Sequence, residues 1–138
     1  MSSLLFEPIT LANMQLPNRV VVAPMCQYSA ENGTMNDWHI ANAGSFARGG
    51  AGLIILEASG VEPAGRITHG CAGLYSDENE TAMARVVALC KSVGHSKMGV
   101  QLAHAGRKAS TQRPWEGGLA LTQDAWQTHA PVSYTHLT

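Results

Sequence analysis

Residues 19–24 read Arg19-Val20-Val21-Val22-Ala23-Pro24, and this stretch decides the fold. A continuous β-branched run is typical of a strand that is buried on both faces, as the strands of parallel sheets are. Pro24 cannot donate a hydrogen bond to a sheet, so we expect the strand to end there and to continue as a loop. The segment Ala23–Ser29 therefore places a thiol (Cys26) and a phenol (Tyr28) just past a buried strand.

Two helical patterns follow this strand. The first covers residues 38–48, and Thr34 with Asp37 resembles a capping box in front of it. Asp77 and Glu80 form a similar pair at the start of the second pattern, whose apolar residues recur at helical spacing. That apolar stripe consists of Met83, Val86, Val87, Cys90 and Val93. Each pattern predicts a helix, and the stripe predicts one buried face for the second helix.

Two further apolar runs predict strands at 53–58 and 97–102. The order strand, helix, strand, helix, strand predicts an α/β fold with a parallel sheet. The spacing of the strands suits a (β/α)8 barrel and a doubly wound sheet equally, so the pattern alone leaves both open. The glycine cluster at 49–52 follows a helix and precedes a strand, the reverse of the dinucleotide-binding order. We interpret it as a helix end.

The two ends of the chain show weaker patterns. Leu4–Phe6 and Ile9–Leu11 flank Glu7-Pro8 and are predicted to form a small hairpin. Residues 110–131 are predicted to form a long surface loop with a helical turn near 123–126.

Composition argues against several classes of protein. A net charge of −1 gives no electrostatic reason to expect nucleic acid or an anionic membrane as partner. No apolar run approaches the about 18–20 residues of a membrane span, and residues 1–8 lack the basic start of a signal peptide. Three cysteines without a CxxC pair argue against a disulfide framework or a zinc site. We therefore expect a cytoplasmic protein with no metal, no nucleic acid and no membrane partner.

Candidate chemistry lies where the three predicted strands end, because the reactive groups of barrels gather at the carboxyl ends of strands. Gln101 places an amide within an apolar strand, and an unsatisfied buried amide costs about 1–3 kcal/mol. A heterocyclic ligand and another protein group are equally good partners for it. Cys26 and Tyr28 are the second candidate, although an isolated free cysteine is more often inert than reactive.

Other chemically able residues favour structural interpretations. Cys90 lies on the apolar stripe and is expected in the core. Cys71 lies in a loop between glycines, where a passive thiol is the favoured interpretation over a functional one. His104, with Arg107 and Lys108, could bind a phosphate, but a solvated loop is favoured.

Taken together, these segments resemble the Old Yellow Enzyme family of FMN-dependent oxidoreductases. The motifs that carry the resemblance occur in order between residue 5 and about residue 131. They are Leu5-Phe6-Glu7-Pro8-Ile9, Leu16-Pro17-Asn18-Arg19, Ala23-Pro24-Met25-Cys26, Ala47-Arg48-Gly49-Gly50-Ala51-Gly52-Leu53, Glu57-Ala58, Gly65-Arg66-Ile67 and Gln101-Leu102-Ala103-His104-Ala105-Gly106-Arg107-Lys108. Cys26 followed by Tyr28 is similar to the bacterial subgroup of xenobiotic reductases and thermophilic-like ene-reductases.

The resemblance implies a fold and an activity. Residues 1–131 would form the N-terminal part, about three β/α units, of an FMN-binding (β/α)8 barrel. Residues 132–138 do not resemble the family and are interpreted as a possible cloning or sequencing scar. The implied reaction passes hydride from NADPH or NADH through FMN to an activated alkene, such as an α,β-unsaturated carbonyl, or to a nitro compound. The full-length parent could be an oligomer.

The resemblance also assigns roles to residues. Backbone groups of Pro24, Met25 and Cys26 would face the isoalloxazine, Ala58 would contact the ring edge through its backbone, and the Gln101 amide would hold the pyrimidine end. Cys26 would modulate flavin potential and substrate binding, and Tyr28 would offer its hydroxyl to the activating group of the substrate. The family's proton donor, its substrate-gripping histidines and its phosphate-binding loops would lie outside this chain, so no catalytic residue is assigned within it.

Two other interpretations remain. The chain could be a non-catalytic half-barrel that associates with another chain or with itself. It could also be part of an unrelated barrel enzyme, such as a lyase, because a shared architecture does not fix function.

Overall fold

The computed structural model describes residues 3–129, which form an α/β unit with two helices and two small sheets. The strands and helices in chain order are β1 (Ile9–Leu11), β2 (Met14–Leu16), β3 (Val21–Val22), α1 (Asp37–Arg48), β4 (Leu53–Gly60), α2 (Asp77–Val93) and β5 (Lys97–Ala103). Single 3-10 turns lie at Leu4–Phe6, Pro63–Gly65, Gly106–Lys108 and Pro114–Glu116. None of the helices in this part of the chain is long and apolar enough to cross a membrane.

A parallel sheet in the order β3-β4-β5 organises the fold. The helices α1 and α2 pack on each other, and α1 also contacts β4. Side chains from β4 and from both helices form one core, as the sequence pattern predicts. Its most buried members include Ala43, Ala47, Ile54, Val86 and Cys90. The predicted α/β order and the core position of Cys90 are thereby confirmed.

The strand that decides the fold is shorter and more exposed than its sequence predicts. β3 contains only Val21–Val22, and Val21 is 46% exposed. The expectation of a strand buried on both faces is therefore wrong for this part of the chain. β3 lies at the edge of the sheet and pairs only with β4, so nothing among residues 3–129 forms a ladder on its other side.

Both helix starts differ from the prediction by a residue. Asn36 caps α1, where its Oδ1 accepts from the Trp38 N–H at 3.1 Å. The predicted cap Thr34 instead has its hydroxyl 3.0 Å from the Asn79 side-chain nitrogen, which holds α2 against the loop before α1. Ser76, not Asp77, caps α2. The other end of α1 is as predicted, because Gly49 is the C-cap and Gly50 follows with a φ of +83°.

The small hairpin also forms elsewhere. Ile9–Leu11 pairs with Met14–Leu16, and Leu4–Phe6 is a 3-10 turn, so the predicted pairing of 4–6 with 9–11 is wrong. The chain closes a turn before Pro8, where the Glu7 N–H donates to the Leu4 carbonyl at 3.2 Å, and this prevents the earlier segment from running back as a strand.

Three further predictions have mixed outcomes. Val93, at the end of the predicted apolar stripe, is 40% exposed because α2 ends there. The helical turn predicted near 123–126 is absent from the described residues of that loop, and the loop's 3-10 turn lies at Pro114–Glu116 instead. The tail at 132–138 lies outside the described residues.

Candidate functional site

The carboxyl ends of β3, β4 and β5 meet at one edge of the sheet. Ala58 of β4 pairs with Gln101 of β5 in the parallel ladder. The register shifts between Leu56 and Ala58, so Glu57 forms a bulge in β4. Leu56 and Glu57 are both buried although they are neighbours in a strand. The bulge therefore directs a carboxylate into the protein directly beneath the loop that follows β3.

Glu57 connects that loop to the sheet. Its Oε2 accepts the Gln27 backbone N–H at 3.1 Å. Its Oε1 lies 3.2 Å from Nε2 of His39 on α1, and the two side chains are 2% and 3% exposed respectively. The contact does not have hydrogen-bond geometry, and neither Oε1 nor Nε2 has another hydrogen-bond partner among residues 3–129. Each of these two buried atoms therefore has the other as its polar contact.

The hydrogen bond to the other ring nitrogen of His39, Nδ1, indicates which nitrogen of the ring carries the hydrogen. Nδ1 accepts the backbone N–H of Asn36 at 3.0 Å, so Nε2 is the nitrogen that can carry hydrogen toward Glu57. The helix cap thus fixes the orientation of the ring, and the ring in turn faces the buried carboxylate. Direct contacts thus link the α1 cap residue Asn36 to His39, His39 to Glu57, and Glu57 to the loop after β3.

Two thiols come together above Glu57. The side chains of Cys26 and Cys71 are close enough to change each other's pKa, and the backbone N–H of Ala58 lowers the pKa of Cys26. Cys71 is 1% exposed, and its sulfur accepts the Thr68 N–H at 3.4 Å and lies 3.4 Å from the Thr68 hydroxyl oxygen. Cys26 is half-buried. The loops that carry the two thiols are therefore in direct side-chain contact.

Hydrogen bonding makes the two thiols unequal. The hydrogen bond from Cys26, with those from Thr68, lowers the pKa of Cys71 to about 6, although burial opposes this change. The contact with Cys71, followed by burial and the charge of Glu57, raises the pKa of Cys26 above its ordinary value. The contact that lowers the pKa of Cys71 thus raises that of Cys26, so the two thiols titrate as a pair.

We expect a single thiolate to titrate in the folded chain with a midpoint near pH 6. Since folding lowers the pKa of Cys71 from 9.0 to about 6, its charged form stabilises the fold, and this contribution is lost as the pH falls through 6. The ultraviolet absorbance of thiolate, followed against pH, measures the midpoint. Cys71→Ser should remove this transition and Cys90→Ser should keep it. A transition that survives Cys71→Ser would contradict the assignment.

Tyr28 is held in an unusual backbone conformation beside these thiols. Its φ of +54° is uncommon for a residue other than glycine and marks local strain. Its ring packs edge-on against Trp115, with centroids 5.7 Å apart. Gly70 lies so close that a Cβ there would be 2.4 Å from the Tyr28 carbonyl oxygen, so only glycine permits this approach.

The hydroxyl of Tyr28 contacts the Cys26 thiol. Partial burial, followed by the charges of Cys26, Cys71 and Glu57, raises the pKa of Tyr28 above its ordinary value. The phenol therefore stays protonated and keeps a hydrogen to donate.

The structure brings together most of the residues that the sequence singles out at this edge. Cys26 contacts both Ala58 and Tyr28, and Ala58 pairs with Gln101. Pro24 and Met25 precede Cys26 in the same loop, and Met25 is 55% exposed.

Gln101 is exposed, so its amide is not buried among residues 3–129, and the two partners that the sequence left open, a heterocyclic ligand and another protein group, both remain open. Within the part of the chain that the structure describes, its amide makes no hydrogen bond. The backbone of Ala58 also has a role that was not expected, since its N–H donates to the sulfur of Cys26.

Four contributors were missed or undervalued by the sequence reasoning. His39, Cys71 and Trp115 reach the site from a helix and two loops, and Glu57 was noted only as part of a strand-end motif. For Cys71, the Thr68-x-x-Cys71 spacing was a local signal of hydrogen bonding to the thiol, because a turn can bring a threonine and a thiol together. His104 is not part of this cluster, and its Nε2 lies 2.7 Å from Glu62 in an exposed pair.

Comparison with known proteins gives consistent results. The sequence profile of the NADH:flavin oxidoreductase / NADH oxidase family matches residues 4–135. An NADPH dehydrogenase of Bacillus subtilis is 47% identical over 134 residues, which are 96% of this chain and 39% of that protein. An NADH:flavin oxidoreductase of Gibberella zeae is 42% identical over 114 residues, which are 83% of this chain and 27% of that protein.

Solved structures agree on the fold. Old Yellow Enzyme from Pichia sp. AKU4542 matches with a TM-score of 0.72 and 26% identity, covering 84% of this chain and 30% of that one. Morphinone reductase in complex with tetrahydroNAD matches with a TM-score of 0.71 and 30% identity, covering 79% of this chain and 29% of that one. The chain thus has the fold of part of a (β/α)8 barrel. It spans 27% and 39% of the length of the two curated relatives named here.

Proposed function

Because the chain belongs to the NADH:flavin oxidoreductase / NADH oxidase family, we propose that it is the N-terminal part of an FMN-dependent NAD(P)H oxidoreductase. In this proposal residues 1–131 contribute to a barrel domain, and the substrates are activated alkenes such as α,β-unsaturated carbonyls, or nitro compounds. The observation that carries the proposal is the meeting of Cys26, Tyr28, Ala58 and Gln101 at one edge of the sheet. FMN supplies a carrier that accepts hydride from NADPH or NADH and passes it on.

The chemistry of this edge suits the isoalloxazine part of FMN. The Gln101 amide offers both a donor and an acceptor, is exposed, and makes no hydrogen bond within residues 3–129. An amide of this kind can pair with the alternating donors and acceptors of a pyrimidine ring. Met25, 55% exposed in the loop after β3, offers apolar surface to a flat ligand. We therefore propose that Gln101 and the backbone of residues 24–26 hold the flavin ring.

Tyr28 and Cys26 act on the substrate side in this proposal. The raised pKa of Tyr28 keeps its hydroxyl protonated, so it can donate to the activating oxygen of a substrate. A donor directed at developing negative charge stabilises an enolate-like transition state. Cys26, whose pKa is raised by its contact with Cys71, modulates the flavin potential and the binding of substrate without forming a covalent intermediate. A reducing cytoplasm suits three unpaired thiols, and we place the protein there.

A chimaera tests the proposed function. The segment of the Bacillus subtilis NADPH dehydrogenase that aligns with residues 4–131 is replaced by the corresponding residues of this chain, and the remainder of the barrel is kept. We expect the chimaera to oxidise NADPH in the presence of FMN and 2-cyclohexenone, with the saturated ketone as product. A folded, FMN-loaded chimaera that oxidises NADPH but never reduces the enone or a nitroarene would contradict the proposed substrates.

Replacement of Cys26 in the chimaera separates modulation from covalent catalysis. We expect Cys26→Ala to shift the flavin reduction potential and to change KM, while turnover persists, because the thiol adjusts the environment and forms no bond to substrate. Spectroscopic redox titration and steady-state kinetics measure the two effects, and Cys90→Ala is the matched control in the core. Complete loss of turnover with FMN still bound would contradict the role given to Cys26.

A further inference from the structure

The loop after β3 is held at Gln27 through every polar group of that residue. Its backbone N–H donates to Oε2 of Glu57 at 3.1 Å, and its carbonyl accepts the Ser29 hydroxyl at 3.0 Å. Its side-chain Nε2 donates to the Met25 carbonyl at 2.8 Å, and its Oε1 accepts the indole N–H of Trp38 at 3.1 Å. Gln27 therefore connects this loop to β4, to α1 and to the loop's own backbone.

The first turn of α1 holds the loop on both sides of Tyr28. Trp38 binds the Gln27 side chain before it, and the Asn36 side chain donates to the Ser29 carbonyl after it at 2.7 Å. The Trp38 backbone N–H donates in turn to Oδ1 of Asn36 at 3.1 Å, so both supports belong to one capped helix end. The φ of Tyr28 is +54°, and a strained residue keeps such a conformation only where the structure around it is fixed.

Gln27 lies between the two side chains that the proposed function places on the substrate side. Cys26 precedes it and Tyr28 follows it. Its Nε2 reaches back past Cys26 to the Met25 carbonyl, which closes a short hydrogen-bonded ring in the backbone around the cysteine. Because the side-chain amide both donates and accepts within the protein, its effect on the site passes through the backbone that it holds.

We propose that Gln27, supported by Trp38, is a positioning residue for the Tyr28 hydroxyl. The amide fixes the backbone around Cys26, and the fixed backbone keeps Tyr28 in its strained conformation with the phenol available to the activating oxygen of the substrate. This role in the reaction rests on the function proposed above, whereas the support of the loop is a property of the described residues alone. The loss of one such hydrogen bond changes an equilibrium by about 2- to 10-fold.

Hydrogen exchange in the 138-residue chain tests the support without flavin. The reporter is the backbone N–H at position 27, which has Glu57 as its partner in every variant. After correction for intrinsic exchange rates, we expect Gln27→Ala to speed its exchange by about 2- to 10-fold. Trp38→Phe should speed it by less, because phenylalanine keeps an aromatic ring and lacks only the indole donor.

A matched control removes a different hydrogen bond of α1. The Ser45 hydroxyl donates to the Asn42 carbonyl at 2.7 Å in an exposed position. Ser45→Ala should therefore leave exchange at position 27 unchanged.

Kinetics of the chimaera test whether Gln27 acts through Tyr28. With rates expressed per bound flavin, Gln27→Ala should lower kcat/KM for 2-cyclohexenone by about 2- to 10-fold. Tyr28→Phe removes the hydroxyl itself. The double variant should then be no slower than Tyr28→Phe alone, because no hydroxyl remains for Gln27 to position.

Two results would overturn the proposal. One is unchanged exchange at position 27 in Gln27→Ala, which would show that the amide does not hold the loop. The other is an equal decrease in kcat/KM with and without the Tyr28 hydroxyl, which would show that Gln27 acts by a route other than Tyr28. A chimaera that binds FMN and reduces no enone in any variant contradicts the proposed function instead, and hydrogen exchange then decides whether Gln27 holds the loop.

Discussion

Replacement of Glu57 by alanine is expected to lower the free energy of unfolding by about 2–6 kcal/mol, because two polar groups that face the carboxylate would each be left without it at a cost of about 1–3 kcal/mol. The carboxylate is 2% exposed and serves both His39 and the Gln27 backbone N–H. Without it, a buried ring nitrogen and a partly buried amide lose their partners together. Urea unfolding of the 138-residue chain, followed by far-ultraviolet circular dichroism, measures the change.

The exposed pair of His104 and Glu62 is the matched control. It joins the same two kinds of residue at 2.7 Å, but its side chains are 33% and 48% exposed. An exposed ion pair contributes about 0–1 kcal/mol, so Glu62→Ala should hardly change the free energy of unfolding. Equal decreases in the free energy of unfolding for Glu57→Ala and Glu62→Ala would show that burial of the His39–Glu57 contact does not add to stability.

The second large effect concerns FMN. We expect the 138-residue chain alone to bind FMN at least about 100-fold more weakly than the chimaera does, because two charged hydrogen bonds to a phosphate are together worth about 3 kcal/mol or more. Phosphate sites of these barrels lie after the last strands, which the chain's three-stranded parallel sheet does not include. β5 also presents an open edge, beside which Leu102 is 61% exposed.

Quenching of flavin fluorescence during titration with each protein gives the two dissociation constants. The chimaera with Gln101→Leu is a useful third protein, since it removes one proposed contact and keeps the phosphate site. Its affinity should lie between the other two. Affinity of the isolated chain equal to that of the chimaera would contradict the statement that residues 3–129 form only one side of the site.

The order of strands and helices was predictable because apolar runs and helical periodicity are local properties of the sequence. The cap of α1 lies two residues after the predicted Thr34 and the cap of α2 one residue before the predicted Asp77, because Asn36 and Ser76 are themselves good capping residues close to the predicted ones. The length and burial of β3 were overestimated. A β-branched run indicates a preference for extended backbone, whereas burial depends on neighbours on both sides of the strand. The hairpin was misplaced because Glu7 turns back to Leu4.

The site was only partly predictable, since its central contacts join distant parts of the chain. Glu57 lies at a bulge in β4, and such a shift in strand pairing depends on the neighbouring strand and is not visible in the sequence. Cys71 was interpreted as passive because nothing near it in sequence supplies a second thiol. Its low pKa arises from Cys26 and Thr68 together, a combination that exists only after the loops pack.

The most direct test of the account is the flavin content of the chimaera, purified without added FMN. The visible absorption spectrum and the protein concentration together give the molar ratio of flavin to chain. The account predicts a yellow protein with a ratio near one, and a colourless preparation of the unmodified 138-residue chain produced in the same way. A folded chimaera without flavin, or a 138-residue chain that carries stoichiometric FMN by itself, would contradict it.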